Sequence, residues 1–332
     1  MKKFIVITSI FEPTVAVKAF SQLPDYQLIV VGDKKSPQQW ECDGCLYLSV
    51  DDQQKLDFQL ADVLPFNHYS RKMLGYLLAM QRDAEVLIDT DDDNIPCDRW
   101  SFPATEGLFE TVSENQGFVN IYQLFTEQKI WPRGLPLQLI NTSRDFKSLL
   151  NEEPCRVGVW QGLADGDPDV DAIYRLTSDV PCVFNRREPV VLSKGTLCPF
   201  NTQNTLIVKE LFPLMYLPTY VTFRFTDILR GLVAQPIMWL YGYRLGFTDA
   251  TVVQERNPHD YMKDFVSELP MYLNTDKVIA VVSGVVSAEQ DISTNLRLAY
   301  QGLLQAGIVE DRELITLDAW LHDIEAIKRS GC

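Results

Sequence analysis

Short apolar runs alternate with helix-spaced segments through the first third of the chain. Phe4 to Thr8 is a β-branched apolar run that predicts a buried strand. Glu12-Pro13-Thr14 supplies helix start signals ahead of the apolar spacing of Val15 to Phe20, and Leu28 to Val31 predicts the next strand, closed by Gly32-Asp33. Leu46 to Val50 is a third strand candidate. Ser70 to Gln81 carries Met73, Leu74, Leu77 and Leu78 at helical spacing, and Val86-Leu87-Ile88 then breaks abruptly into Asp89-Thr-Asp-Asp-Asp-Asn94. Strand, helix, strand, helix, strand in this order predicts an α/β fold with a parallel sheet and ligands beyond the carboxyl ends of its strands.

The middle of the chain is richer in loops, punctuated by Pro132, Gly134 and Pro136 and again by Asp165 to Asp171. After about Asp264 the pattern changes: Val278 to Val286 is apolar and β-branched, and Ala288 to Arg329 predicts two or three amphipathic helices. A boundary near residue 270 therefore divides the expected organisation into a chemistry-bearing domain of residues 1–270 and a mainly helical extension of residues 271–332. The four-residue apolar run after Lys2-Lys3 is too short for a signal-peptide core. Gly231 to Tyr243 contains Gln235 and Pro236 and falls short of the ~20 apolar residues a membrane span needs. The expected location is cytoplasmic, with peripheral attachment to a membrane surface left open.

Composition narrows the function classes. With 46% hydrophobic residues among 332, the chain can bury enough apolar area to offset its ordering entropy, which excludes disorder. Its 45 Asp and Glu against 30 Lys and Arg, a net charge of -15, argue against nucleic acid as a partner, since phosphate neutralisation needs a basic surface. The seven cysteines include one CxxC, Cys42 and Cys45; a zinc ribbon needs a second such pair, so a turn at Asp43-Gly44 between two strands is expected, with reduced thiols throughout.

The strongest chemical signal is Asp91-Asp92-Asp93 at the end of a hydrophobic strand, with Asp89 just before it. Four carboxylates in five positions repel one another, so something positive must compensate. A hard divalent cation, Mg²⁺ or Mn²⁺, suits such oxygen donors and keeps open positions for phosphates; a solvated acidic loop or a set of helix caps is the competing reading. Asp33 with Lys34 and Lys35, and Ser70-Arg71-Lys72, place cations in the segments that flank this strand, as a diphosphate site would use them. Arg224-Phe-Thr-Asp227 lies between two apolar segments, where Asp227 can act as a general base or cap a helix over Ile228 to Leu232. His259 can complete a metal site or be structural, and His68 sits by the proposed cations. The Asp165 to Asp171 run lacks the turn glycine and the terminal Glu of a calcium loop.

Val30-Val-Gly-Asp-Lys-Lys35, Pro65-Phe-Asn-His-Tyr-Ser-Arg-Lys72 with Gly75-Tyr76, and Ile88 to Asn94 together resemble the STELLO family of probable glycosyltransferases. A weaker likeness, to the reversibly glycosylated polypeptides that include plant UDP-arabinopyranose mutases, continues through Arg133-Gly134, Gly162-Leu163, Pro168 to Asp171, Lys194 to Pro199 and Arg224 to Asp227. What the resemblance implies is a GT-A-like fold for nucleotide-diphospho-sugar transfer, a Rossmann-like mixed sheet. It implies that Asp91 faces the ribose or sugar and Asp93 holds the metal, with Asp91 as a second ligand and Asp92 in the same cofactor-binding run. Asp33 would meet the uracil, Thr8 would touch the base, Arg71 would face the diphosphate or hold the acidic cluster, Lys34 or Lys35 would assist, and Asp227 would contact the sugar or the acceptor hydroxyl. His259 lies just past the position matching the family's C-terminal metal-binding His. The mutases carry a glycosylated arginine shortly before the one matching Arg133, whereas Thr126 to Pro132 contains none, which argues against a mutase. STELLO proteins are anchored in Golgi membranes, and that location is not carried over.

The expected function is thus a Mn²⁺- or Mg²⁺-dependent transferase that uses a UDP-sugar donor and an unknown glycan, lipid or protein acceptor, with oligomerisation left open. The alternatives are a UDP-sugar pyranose/furanose mutase and a non-catalytic nucleotide-sugar-binding protein.

Overall fold

The computed structural model describes residues 1–114, 117–178, 180–255 and 260–330. The alternating pattern of the first third folds as expected. Strand β1 (Lys3–Thr8) leads to helix α1 (Val15–Ser21), whose N-cap is Thr14; strands β2 (Tyr26–Val31) and β3 (Cys45–Leu48) follow. β3 stops at Leu48, short of Val50, because Ser49 closes a reciprocal capping box with Asp52 and starts α2 (Val50–Gln54). After α3 (Gln59–Val63), a 3-10 turn at Tyr69–Arg71 opens α4 (Lys72–Gln81), which delivers the chain to β4 (Val86–Thr90). Helix α4 lies close to the sheet at Gly75, where a Cβ would stand 2.6 Å from Val6 Cγ1 and 2.8 Å from Val31 Cγ2.

The rest of the sheet is mixed. Strands β5 (Asn94–Pro96), β6 (Glu106–Val112), the 17-residue β7 (Leu150–Gly166), β8 (Val190–Leu192), β9 (Asn204–Val208) and β10 (Tyr243–Gln254) join it, with α5 (Ala172–Thr177) after β7 and α6 (Thr226–Leu240) before β10. Among the described residues there is one ten-stranded sheet in the order β3-β2-β1-β4-β9-β7-β6-β8-β10-β5, with a further β7–β10 pairing. The first four strands are parallel, and β9 runs antiparallel to β4. β1, β2 and β4 therefore release their carboxyl ends on the same edge, which is where an open α/β sheet binds its ligands.

Three helices complete the chain: α7 (Tyr261–Val285), α8 (Ile292–Gln305) and α9 (Asp311–Ser330). The expected boundary near 270 falls inside α7. The β-branched run from Val278 is helical, with Val278 and Val282 buried, because tertiary packing outweighs its strand propensity. α9 packs on α3 and α4, and its buried Asp323 accepts the backbone N–H groups of Gln59 at 3.0 Å and Leu60 at 2.8 Å. Among the described residues no helix is long and apolar enough to cross a membrane.

Candidate functional site

A cleft of about 360 Å³ opens beyond the carboxyl ends of β1, β2 and β4. It is lined by Thr8, Asp33, Arg71, Asp91, Asp92, Asp93 and Asp227, so residues distant in sequence share one surface. Lys34 is not part of the lining; its ammonium lies over the Phe66 ring, 3.8 Å from the centroid, and Lys35 lines the cleft in its stead. His259 lies outside the described residues.

The acidic turn is held from three sides. The Ser9 hydroxyl, just past β1, donates to Asp92, and Thr14 at the start of α1 donates to the Asp92 carbonyl at 2.6 Å. Gln254, the last residue of β10, donates to Asp93 at 3.1 Å. From below, Lys72 at the head of α4 is wholly buried and sits 2.6 Å from Asp89 and 3.1 Å from Asp91. Burial alone would drive the proton off Lys72, but Asp89 and Asp91 outweigh it and raise its pKa. The Tyr69 hydroxyl donates to Asp91 at 2.8 Å. Burial pushes the Asp91 carboxyl up to about 6; Lys72 opposes that shift, and Asp93 and Asp89 reinforce it.

Asp89 does not face the cleft. It is fully buried between Lys72 and Arg230 of α6, the latter at 2.6 Å, so its compensating charges come from the protein. Arg71, expected at the diphosphate or on the acidic cluster, lines the cleft but spends its Nε on Gln53 at 2.7 Å and one Nη on the Leu64 carbonyl at 3.1 Å, stacked on Phe66. Its other Nη is buried without a hydrogen-bond partner. Holding the acidic cluster falls to Lys72 instead. Asp33 accepts the backbone N–H groups of Lys34 at 2.7 Å and His68 at 3.0 Å, the latter delivered by the left-handed Asn67 (φ 54°).

On the opposite wall, Arg133 forms a buried clasp. Its guanidinium donates to both oxygens of Asp169 (2.8 Å each) and both oxygens of Asp227 (2.9 and 2.7 Å), as well as to the Arg224 carbonyl. Asp227 is therefore not the helix cap; it sits in the first turn of α6 and points its carboxylate at Arg133. Arg224 in turn pairs with the fully buried Glu268 of α7 at 2.9 Å. Arg133, Asp169, Arg224 and Asp227 all belong to the weakly resembling segments, and the fold gathers them on one wall of the cleft.

Two charged residues that the sequence reading did not single out matter most to this arrangement. Asp169 falls in the rejected calcium loop and in the weakly resembling segment Pro168 to Asp171, with no role of its own assigned there. Arg230 stands alone in the apolar run from Ile228 to Met238, and a charge in such a run must find a buried partner, so its signal was present.

The donors available to a divalent ion are hard carboxylate oxygens on Asp91 and Asp93, whose mutual repulsion contributes to the raised Asp91 pKa and is what a cation relieves. Among the described residues no three His, Cys, Asp or Glu side chains converge on a complete protein-only metal site. Mg²⁺ and Mn²⁺ sites commonly use one or two carboxylates together with substrate phosphates, and the pair fits that pattern.

A family model described as STELLO glycosyltransferases matches residues 224–329. Probable glycosyltransferase STELLO1 of Arabidopsis thaliana is 26% identical over 348 residues, covering 98% of this chain and 44% of its own length. Probable glycosyltransferase STELLO2 of the same plant is 27% identical over 343 residues, covering 97% and 44%. The chain thus spans less than half the length of these relatives. A crystal structure of a mycobacterial protein covers 93% of this chain and 76% of its own at a TM-score of 0.38 and 12% identity, a level that carries no argument. The likeness to the STELLO family read from the motifs is borne out by these matches.

Proposed function

The chain is a relative of the STELLO glycosyltransferases, and on that premise we propose that it transfers a sugar from a UDP-sugar to a hydroxyl acceptor on a GT-A-like fold. The observation that carries this reading is the meeting of Asp91, Asp92 and Asp93 with Thr8, Asp33 and the Arg133–Asp227 pair in one cleft. Parallel strands in the order β3-β2-β1-β4, with that cleft at their carboxyl ends, support the fold assignment.

In this reading Thr8 and Asp33 meet the base and Asp91 meets the ribose or sugar. Asp91 and Asp93 would hold Mn²⁺ or Mg²⁺ with the donor's phosphates, and that ion supplies charge stabilisation for the leaving diphosphate. Arg71 and Lys35 face the same anion. Arg133 fixes the Asp227 carboxylate by both oxygens, each of which keeps a lone pair able to accept the acceptor's proton.

The test is calorimetry of UDP binding with and without Mn²⁺. Mn²⁺ raises the wild-type affinity by about tenfold or more, worth ~1.4 kcal/mol, and Asp93→Ala abolishes that increment. Equal wild-type affinity in the two buffers overturns the reading.

A further inference from the structure

Phe223 stands at the mouth of the cleft with 59% of its surface exposed. The two residues that share its 3-10 turn are both buried: Arg224 is tied to Glu268, and Phe225 lies in the core. Those anchors fix the backbone that presents the ring. The ring meets Tyr69 edge to face, with centroids 5.8 Å apart and planes at 82°, and the Tyr69 hydroxyl bonds Asp91. Asp227 follows four residues later and lines the same cleft. A large aromatic face that is held in place yet left in water within a cleft is open to a ligand that enters there.

Building on the donor reading above, we propose that Phe223 is the stacking platform of the acceptor subsite and that the acceptor is a carbohydrate. An aromatic face is electron-rich. The axial C–H bonds of a pyranose carry small positive charges that match it, while the equatorial hydroxyls project outward to hydrogen-bond neighbouring carboxylates. Asp227, which lines the same cleft, supplies such a carboxylate, so one sugar can use both kinds of contact. An alkyl chain would need a continuous apolar groove, whereas Arg224, Asp227 and Asp91 line the same cleft as Phe223, and the ring's edge-to-face partner Tyr69 carries a hydroxyl bonded to Asp91.

Saturation-transfer NMR on the full chain with UDP and diamagnetic Mg²⁺ tests this, using cellobiose, xylobiose and decanol as separate probes. A disaccharide takes up saturation at its ring C–H protons, and Phe223→Ala weakens its binding by at least about fivefold, the lower end of what an aromatic stacking partner is worth by alanine substitution. Phe223→Tyr keeps the signal, and Phe223→Leu, apolar but without a ring, loses it as the alanine variant does. Four results overturn the proposal: no saturation of either disaccharide, equal binding by Phe223→Ala, binding retained by Phe223→Leu, or preferential saturation of decanol. UDP calorimetry on the same samples separates the two readings, since absent UDP binding overturns the donor site while the disaccharide result alone decides the acceptor subsite.

Discussion

Lys72 keeps an ammonium group inside the fold because Asp89, Asp91, the Thr90 carbonyl and the Tyr69 hydroxyl surround it. Arg133 does the same between Asp169 and Asp227. Removing one member of such a buried set strands the others, and that typically costs ~3–5 kcal/mol. Asp171 is a different case, a carboxyl that burial pushes up to about 6 while the Tyr174 N–H and the Trp131 indole N–H oppose the shift. Its folded pKa lies above its unfolded value of 3.8, so between those values the folded state binds more protons. Its contribution is complete below about 4 and lost as pH rises through about 6. Asp171→Asn cannot titrate, so its stability deficit relative to wild type should shrink from pH 4 to pH 6; urea midpoints across that range measure it, and a constant or growing deficit would refute the assignment. The acidic run Asp91 to Asp93 was legible because its members are contiguous. The partnerships of Arg133, Lys72 and Arg230 were not, since a lone cation in a sequence announces that it needs a carboxylate without saying which one.

At the scale of elements, the segment that presents Phe223 and Asp227 is held by the C-terminal helices. Glu313 in the first turn of α9 is fully buried and accepts the N–H groups of Thr219 and Tyr220 at 2.8 Å each, with the Tyr216 hydroxyl as a third donor. Glu313→Ala leaves those donors without their acceptor and should cost about 3 kcal/mol in urea unfolding. Amide exchange at residues 216–222 should quicken in the variant; an unchanged rate there would mean the loop is held by something else. The strands and α4 were readable from period and capping signals, because local pattern and tertiary burial agree there. The run from Val278 was less so: β-branched residues suit a strand, and only the packing of α7 against α6 and α8 makes them helical. The boundary near 270 followed a change of composition, whereas α7 runs through it and carries Glu268 back to Arg224.

For the molecule as a whole the net charge is -15, and the cleft adds more carboxylates than cations to that field. Asp33, Asp91, Asp92, Asp93, Asp169 and Asp227 line the cleft with Lys35, Arg71, Arg133 and Arg224, and Arg133 and Arg224 are already committed to protein carboxylates. An anionic nucleotide therefore approaches against the field. Without divalent ions, UDP association measured by stopped flow should quicken as salt rises from about 0.01 M to about 0.15 M, because the Debye length shortens from about 30 Å to about 8 Å. A slowing would mean that the few cations dominate the entrance.

The bond from Gln59 to Asp323 joins residues 264 positions apart. At roughly 5–20 residues per second, a ribosome needs on the order of tens of seconds to make the second partner after the first. Throughout that interval the start of α3 lacks its acceptor, and α3 is followed by its C-cap Leu64, whose carbonyl accepts from Arg71 at the cleft. The nascent chain thus carries Asp33 and Asp91 to Asp93 well before it holds the carboxylate that caps the helix leading to Arg71.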